Sequence, residues 1–395
     1  MTSKPIILFV INSLAGGGAE RVLTTILNAS GRWTARYDLH LALLDQEPAA
    51  YHPLAHVTMH QLDARHRLGP SIVQLRRLVR RLRPAATLSF LTRANVANAV
   101  AMFGSGRPWL ISERVNTSAH LGHGRAAAVA HAMVRLAYPR ATHVIAVSEG
   151  VVEDLTRNFG VTRSRITAIA NPVDHDRITA LAAEPPEVAV TADDVVAAGR
   201  LVPAKNFAML LTAFAASGVS GRLVLMGEGP ERAALEALAQ QLGIAERVLM
   251  PGFVANPFAV LSRARLFAMS SNAEGFPNGL VEAMACGLPV IATNCASGPS
   301  EILARTSREA VAGTCQVEAG TLVPAGDVDA FAAALRGVYD SPGRAAMGRA
   351  ALARSLDYGV ERATIEYWRR IEAVLPTPAD ARVSAATLIP QSETM

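Results

Sequence analysis

The sequence predicts an α/β fold made of two similar halves, each a parallel sheet covered by helices on both faces. Three observations carry this expectation. Short β-branched runs alternate with Ala- and Leu-rich helical stretches along most of the chain. The alternation stops at a Pro-containing joint and then starts again. The chain has 395 residues, half of them apolar, which is material for two cores of ordinary size.

The first half reads as strands at PIILFVI, DLHLALL, ATLSFL, PWLIS and THVIAVS. Helices fall at Ala19–Ala29, Ser71–Leu82, Ala94–Met102 and Ala126–Tyr138, the last closed by Pro139. The joint is NPVDHDRI followed by AAEPPE, so the boundary lies near 172–190. The second half gives strands at DVVAAG, RLVLMGEG, VLMPGF, RLFAMSS and PVIATN. Its helices lie near Asn206–Ala216, Pro230–Leu242, Pro257–Ser262 and Gly279–Cys286, with a final helix at Arg362–Leu375. From Pro376 on, neither period is present and a loose tail is expected. Open parallel sheets bind ligands outside the C-terminal ends of their strands, so two such sheets would offer one shared cleft.

Composition narrows the setting. Cys286, Cys295 and Cys315 form no CxxC pair, which suggests a reducing compartment without disulfides. The opening PIILFVI is too short and too β-like for a signal peptide, and no apolar run approaches the roughly 18 residues that span a bilayer. A cytoplasmic protein not integral to a membrane is expected. The net charge of +5 suits phosphate-bearing ligands or anionic lipid.

Glycine and charge collect where strands end. INSLAGGGAERV carries Gly16, Gly17 and Gly18 from a strand into a helix, either facing a diphosphate or making a plain tight turn. Arg21 stands where a dinucleotide fingerprint needs its third glycine, which demotes a nicotinamide enzyme. In VVAAGRLVPAKNF, Arg200 and Lys205 share one loop and could clamp a diphosphate; ordinary solvated charge is the alternative. The turns GEGPER and PGFVANPF could line a nucleotide pocket or simply turn the chain.

The densest segment is SSNAEGFPNGLVEAMACGLPVIATN, read as strand, loop, helix, strand. Asn278 is expected to cap the helix that Gly279 begins, with Gly287 and Pro289 ending it. Glu274 then lies in the loop and Glu282 in the early turns. Two carboxylates beside amide donors make a poor phosphate site but good acceptors for sugar hydroxyls. Two other Glu pairs share the eight-residue spacing, Glu228 with Glu236 and Glu301 with Glu309, and both read as solvated helix faces.

GGGAERVL, NPVD, GRLVPAKN, GEGPER and EGFPNGLVEAMACGLPVIAT occur in this order across residues 5 to 375. The ordered set resembles family 4 glycosyltransferases, which have the GT-B fold of two facing Rossmann-like domains with an interdomain cleft. The resemblance implies an acceptor-binding domain over 1–172 and a nucleotide-sugar-binding domain over 173–361. A helix over 362–375 would return to the first domain, and 376–395 would be a tail.

It also implies roles. Arg200 and Lys205 would hold the donor diphosphate, Glu274 the donor-sugar hydroxyls and Glu282 the ribose. Gly275, Phe276, Asn278 and Gly279 would line sugar and phosphate through their main chain. Gly17 and Gly18 would close on the diphosphate, and Phe253 and Val254 would border the base. Glu274, Arg200 and Lys205 are the expected catalytic group. Such enzymes retain anomeric configuration and need no metal and no cofactor, since the nucleotide sugar is a substrate; UDP is the base the resemblance favours.

Many members place a His after a strand of the first domain. Here the region reads LISERVNTSAHLGHG, which is similar to a Ser-Glu-Arg-Asn variant in enzymes that add galactose or N-acetylhexosamine to polysaccharides and lipid-linked oligosaccharides. Val115 is an extra residue in that match. Glu113 and Arg114 are candidates for acceptor or donor contact, while His120 and His123 have no assigned role.

The segment SIVQLRRLVRRLRP is the strongest basic feature. As a helix it sets Ile72, Leu75, Leu78, Val79 and Leu82 on one side and Arg76, Arg77, Arg80, Arg81 and Arg83 on the other. It reads as a surface helix with solvated arginines, or as one whose arginines meet anionic membrane or a polyprenyl diphosphate at the inner face of the cytoplasmic membrane. Nucleic acid is disfavoured because no aromatics are interleaved. The expected partners are a nucleotide-sugar donor and a glycan or lipid-linked glycan acceptor. Two further readings compete: a catalytically silent sugar-nucleotide-binding subunit of an assembly complex, and a hydrolase using Glu274 and Glu282 as acid and base.

Overall fold

The computed structural model describes residues 4–122 and 124–375. The tail reading for 376–395 and the unassigned His123 lie outside the described residues. Among the described residues there are two seven-stranded sheets.

The first sheet holds β1 (Ile6–Ile11), β2 (Asp38–Leu43), β3 (Val57–Gln61), β4 (Ala86–Phe90), β5 (Trp109–Glu113), β6 (His143–Ala146) and β7 (Ile166–Ala168) in the order β3-β2-β1-β4-β5-β6-β7. Strands β1 to β5 run parallel. The second sheet holds β8 (Val195–Ala198), β9 (Leu223–Met226), β10 (Val248–Gly252), β11 (Leu266–Met269), β12 (Val290–Asn294), β13 (Cys315–Val317) and β14 (Gly320–Pro324) in the order β10-β9-β8-β11-β12-β14-β13. All its pairs are parallel except the edge strand β13, which runs antiparallel to β14.

The ten strands expected from β-branched runs are all present. Central strands such as β9, β11 and β12 are buried along their whole length, as sheets covered on both faces require. Strands β3, β7, β13 and β14 were not expected. The first two lack a continuous apolar run: β3 buries only its first residue, and β7 is three residues long.

By contacts the chain forms two compact units. One comprises the described chain up to Ser112, Leu136–Val144 and the described chain from Ile365 on; the other comprises Glu113–Arg135 and Ile145–Thr364. In the first unit, the last helix (Val360–Val374) brings in Trp368, which stacks on Trp33 at 5.0 Å and on Tyr37 at 5.4 Å between ring centroids. Its indole N–H donates to Ser30 Oγ at 2.8 Å, so the polar edge of this buried ring is satisfied.

The basic helix spans Leu68–Leu82 in the first unit and follows its expected pattern. Leu75, Leu78 and Val79 are buried, Ile72 and Leu82 are half-buried, and Arg76, Arg77, Arg80 and Arg81 are exposed. In the second unit, helix Phe207–Ser217 packs Leu210 and Phe214 into one core with Phe331 and Leu335 of helix Val328–Tyr339. The joint at 172–190 holds a short helix, His175–Ala182, capped by Asp174 Oδ1, which accepts from Arg177 N at 3.0 Å.

Candidate active site

The strand order of the second sheet reverses between β8 and β11. Connections from β8 lead toward β9 and β10; those from β11 lead toward β12 and β14. Such a switch point leaves a crevice beyond the carboxyl ends of the two strands, because their following loops part to opposite sides. Here those loops carry Gly199 to Asn206 and Ser270 to Pro277.

The two loops are stitched together. Asn272 N donates to Ala204 O at 2.8 Å, Ser270 Oγ to Lys205 O at 2.8 Å, and Asn206 Nδ2 to Asn272 Oδ1 at 3.0 Å. On this base Lys205 Nζ donates to Glu274 Oε1 at 2.6 Å, and Ser271 Oγ donates to the same oxygen at 2.6 Å. The Lys205 and Glu274 side chains are only 27% and 10% exposed. Lys205 closes a 3-10 turn, and Asn206 (φ 49°) caps the following helix through its side chain on Met209 N. Arg200, at the head of the loop, is exposed.

Glu274 leads into a backbone with little freedom. A Cβ on Gly275 would lie 2.3 Å from Arg114 O and 2.8 Å from Val115 Cα, so only glycine lets the backbone of these two residues cross here. The Gly275 carbonyl accepts Ser148 Oγ at 2.8 Å. Phe276 is buried and meets Tyr358 edge-on at 5.3 Å. Glu113 and Arg114 are themselves buried, with Arg114 N donating to Glu113 Oε1 at 2.9 Å. The structure thus brings Arg114 and Val115, far away in sequence, against the Glu274 loop, with Glu113 as their chain neighbour.

One expectation about this loop is corrected. The helix runs Asn278–Ala285 with Pro277 in the cap position and no side-chain cap bond. Asn278 is the first helical residue, and its Oδ1 accepts from Asn171 Nδ2 at 2.6 Å, which ties the helix start to the NPVD segment. Glu282, the fifth residue of this helix, is half-buried. Burial, with the Glu282 carboxylate adding to it, pushes the Cys286 thiol up to about 12; burial and then Glu274 do the same to Cys295.

Other expected residues lie elsewhere. Phe253 and Val254 follow β10, two strands from β8 in sheet order; Phe253 is 82% exposed while Val254 is buried. Gly17 and Gly18 belong to the first unit, where Gly17 is the exposed N-cap of helix Gly18–Asn28. Glu228 and Glu236 both pair with Arg232 at the surface, at 2.7 and 3.0 Å, as a solvated face should. Among the described residues no three His, Cys, Asp or Glu side chains group as metal ligands. Among them, too, no helix is long and apolar enough to cross a membrane.

Glu301 breaks the solvated-face expectation. It stands third in helix Pro299–Ala304, half-buried, and accepts from Glu149 N at 2.7 Å, Gly150 N at 2.9 Å and Gly298 N at 3.3 Å. Burial pushes its carboxyl up, with the three N–H groups pulling the other way and the nearby Glu149 charge raising it further. A sequence signal existed: Gly298-Pro299 announces a helix start, and a carboxylate in the first turn serves N–H groups there.

Two Rossmann-like, mainly parallel sheets, the second with a polar, glycine-bearing switch point, are the architecture of GT-B proteins. Residues 184–354 match the family described as Glycosyl transferases group 1, and residues 16–177 match Glycosyltransferase Family 4. The N-acetylgalactosamine-N,N'-diacetylbacillosaminyl-diphospho-undecaprenol 4-alpha-N-acetylgalactosaminyltransferase of Campylobacter jejuni is 30% identical over 304 residues, 74% of this chain and 81% of that protein. The lipopolysaccharide 1,6-galactosyltransferase of Escherichia coli is 28% identical over 41% of this chain and 46% of its own. Among solved structures, Anabaena HepE in complex with UDP-glucose superposes with a TM-score of 0.72 at 21% identity, covering 93% of this chain and 99% of that one. Sucrose-phosphate synthase of Thermosynechococcus elongatus gives 0.74 at 18% identity, covering 94% and 100%. The chain belongs to glycosyltransferase family 4, and it is a glycosyltransferase with the GT-B fold.

Proposed function

We propose that the enzyme moves a hexose or N-acetylhexosamine from a UDP-sugar to a glycan or polyprenyl-diphosphate-linked acceptor in cell-surface polysaccharide synthesis. In this reading it retains anomeric configuration and uses no metal. The observation that carries the proposal is the ammonium of Lys205 held 2.6 Å from the Glu274 carboxylate at the switch point. A sugar nucleotide presents an anionic diphosphate and neutral hydroxyls within a few ångströms of the bond that breaks. A cation and an acceptor side by side match that pair.

Lys205 and Arg200 stabilise the departing diphosphate, the charge that a metal would otherwise meet. Glu274 accepts from donor-sugar hydroxyls and Glu282 from the ribose. The main chain from Gly275 to Gly279 lines the sugar and phosphate, and Phe253 and Val254 border the base. In the first unit, Gly17 and Gly18 offer helix-start amides, the chemistry a phosphate takes. Glu113 and Arg114 serve the sugar or acceptor. The Campylobacter relative's diphospho-undecaprenol-linked substrate and the UDP-glucose complex of HepE support this choice of acceptor and donor. The exposed Arg76, Arg77, Arg80 and Arg81 add contact with anionic lipid, about 1 kcal/mol each.

The test is a panel of UDP-, GDP- and ADP-sugars with membrane extract as acceptor source, and product anomers assigned by NMR. Transfer from a UDP-sugar that survives chelation and is nearly abolished in Lys205→Ala and Glu274→Ala is expected. Loss on chelation, an inverted product, or full activity in both variants overturns the reading. Co-sedimentation with phosphatidylserine liposomes that is unchanged when the four arginines are neutralised removes the membrane contact.

A further inference from the structure

We propose that Glu301 is a positioning residue for the donor loop, clamping through backbone N–H groups the two segments that hold Gly275 and Pro277 in place. The inference rests on the reading of Glu274 to Gly279 as the donor loop, and it concerns a carboxylate that does not itself reach the switch point.

One carboxylate serves two helix starts. Its Oε2 accepts Glu149 N and its Oε1 accepts Gly150 N, the first amides of helix Glu149–Phe159; Oε1 also accepts Gly298 N at the start of its own helix. Orphan amides and the positive end of the helix dipole both favour an anion there. Contact around them is close: a Cβ on Gly150 would stand 2.8 Å from Ser297 Cβ and 3.0 Å from Ala296 O. The segment 296–298 therefore sits directly on the start of helix Glu149–Phe159.

Each clamped segment touches the loop. Ser148, the N-cap beside Glu149, accepts Val151 N at 3.3 Å and donates to Gly275 O at 2.8 Å. Gly298 lies against Pro277, where a Cβ would fall 2.5 Å from Pro277 Cδ. Asn116 Nδ2 adds a bond to Ser297 Oγ at 3.2 Å. Glu301 thus fixes Ser148 from one side and Gly298 from the other, with the Gly275–Pro277 backbone between them. A glutamine in its place offers one acceptor oxygen and turns an NH2 toward backbone N–H donors, so the clamp needs the carboxylate.

The experiment uses Glu301→Gln, Ser148→Ala, the double variant and, as control, Glu309→Gln at an exposed position. Initial rates with UDP-sugar and hydrogen exchange of peptides covering 148–152 and 275–280 are measured on each full chain. Glu301→Gln is expected to raise the donor KM about tenfold with kcat within about twofold, the size of one charge-assisted bond lost from loop positioning. Exchange should quicken in both peptides, and the double variant should be little worse than Glu301→Gln because both act on one link. Glu309→Gln should match the unsubstituted enzyme.

A Glu301→Gln protein with unchanged KM and unchanged exchange at 275–280 overturns the proposal, as does one that loses only kcat and melting temperature. Should Glu301→Gln not fold, Ser148→Ala alone reads the same link, and unchanged KM and exchange there overturn it. Full activity of Lys205→Ala and Glu274→Ala would instead refute the donor-loop reading; exchange at 275–280 would still decide whether Glu301 holds the loop.

Discussion

The ion pair at the switch point invites a double-mutant cycle on stability with Lys205→Met and Glu274→Gln. Removing one partner of a fully buried pair costs about 3–5 kcal/mol, while exposed pairs contribute about 0–1 kcal/mol. With side chains 27% and 10% exposed, this pair falls between those limits. Lys205→Met keeps the stem against Gly199 and leaves Glu274 with the Ser271 hydroxyl at 2.6 Å, so about 2 kcal/mol is expected for it. Glu274→Gln should cost a similar amount, and the coupling between them should be about 1–2 kcal/mol. The three tryptophans, Trp33, Trp109 and Trp368, all lie in the other unit, so their fluorescence is blind to this one. Hydrogen exchange of the β8 and β11 amides during urea titration reads the right unit. In parallel, kcat/KM of Lys205→Met should fall about 100- to 1000-fold through loss of charge stabilisation on the leaving diphosphate. A coupling of zero within error would show that the pair adds nothing to the fold. Intact kcat/KM in either single variant would refute the chemistry assigned to it.

Three further outcomes follow from single positions. His143 is held neutral by burial and by Arg370, its pKa drawn from 6.5 down to about 4; the unfolded chain binds a proton in that window and the folded chain does not. Its contribution is therefore complete above pH 6.5 and lost as pH falls toward 4, and denaturation of His143→Gln should show a flatter pH dependence there. Trp368→Ala should cost about 3–5 kcal/mol, because the ring is 1% exposed and stacks on two others; a loss under 1 kcal/mol by urea denaturation would contradict this. Phe253→Ala, at an 82% exposed ring, should leave the melting temperature unchanged and weaken UDP binding by calorimetry about tenfold; equal affinity would remove it from the base site.

The parts of this fold that were legible in the sequence are those where one physical demand dominates. Strands such as VIATN and LVLM must be apolar throughout because helices cover both faces, and their runs stand out. Strand β3, VTMHQ, faces solvent at the sheet edge and therefore carries polar residues that resemble loop. The helix His175–Ala182 was hidden by the prolines that follow it, although Asp174 is the cap residue that should have announced it. Asn278 misled for a related reason. An Asn before Gly is a good cap, but here Asn171, more than a hundred residues away in sequence, takes its Oδ1, and only the tertiary fold shows that partner.

Glu274 and Glu301 make the same point about the site. Each opens a Glu pair of identical spacing, and the chain contains three such pairs, so spacing carries no information about either residue. What separates them is the donor set that each meets. Glu274 faces an ammonium and a hydroxyl, both carried on rotatable side chains whose donors can be redirected to a ligand without disturbing the backbone. Glu301 faces three backbone N–H groups fixed by helix starts, which cannot turn away without unwinding a helix. An exchangeable donor set suits a group that must release one partner to take a substrate hydroxyl, and a fixed one suits a group that must hold a loop still. By this criterion Glu301→Gln should disturb where the donor sits and Glu274→Gln what happens to it, a difference that KM and kcat read separately.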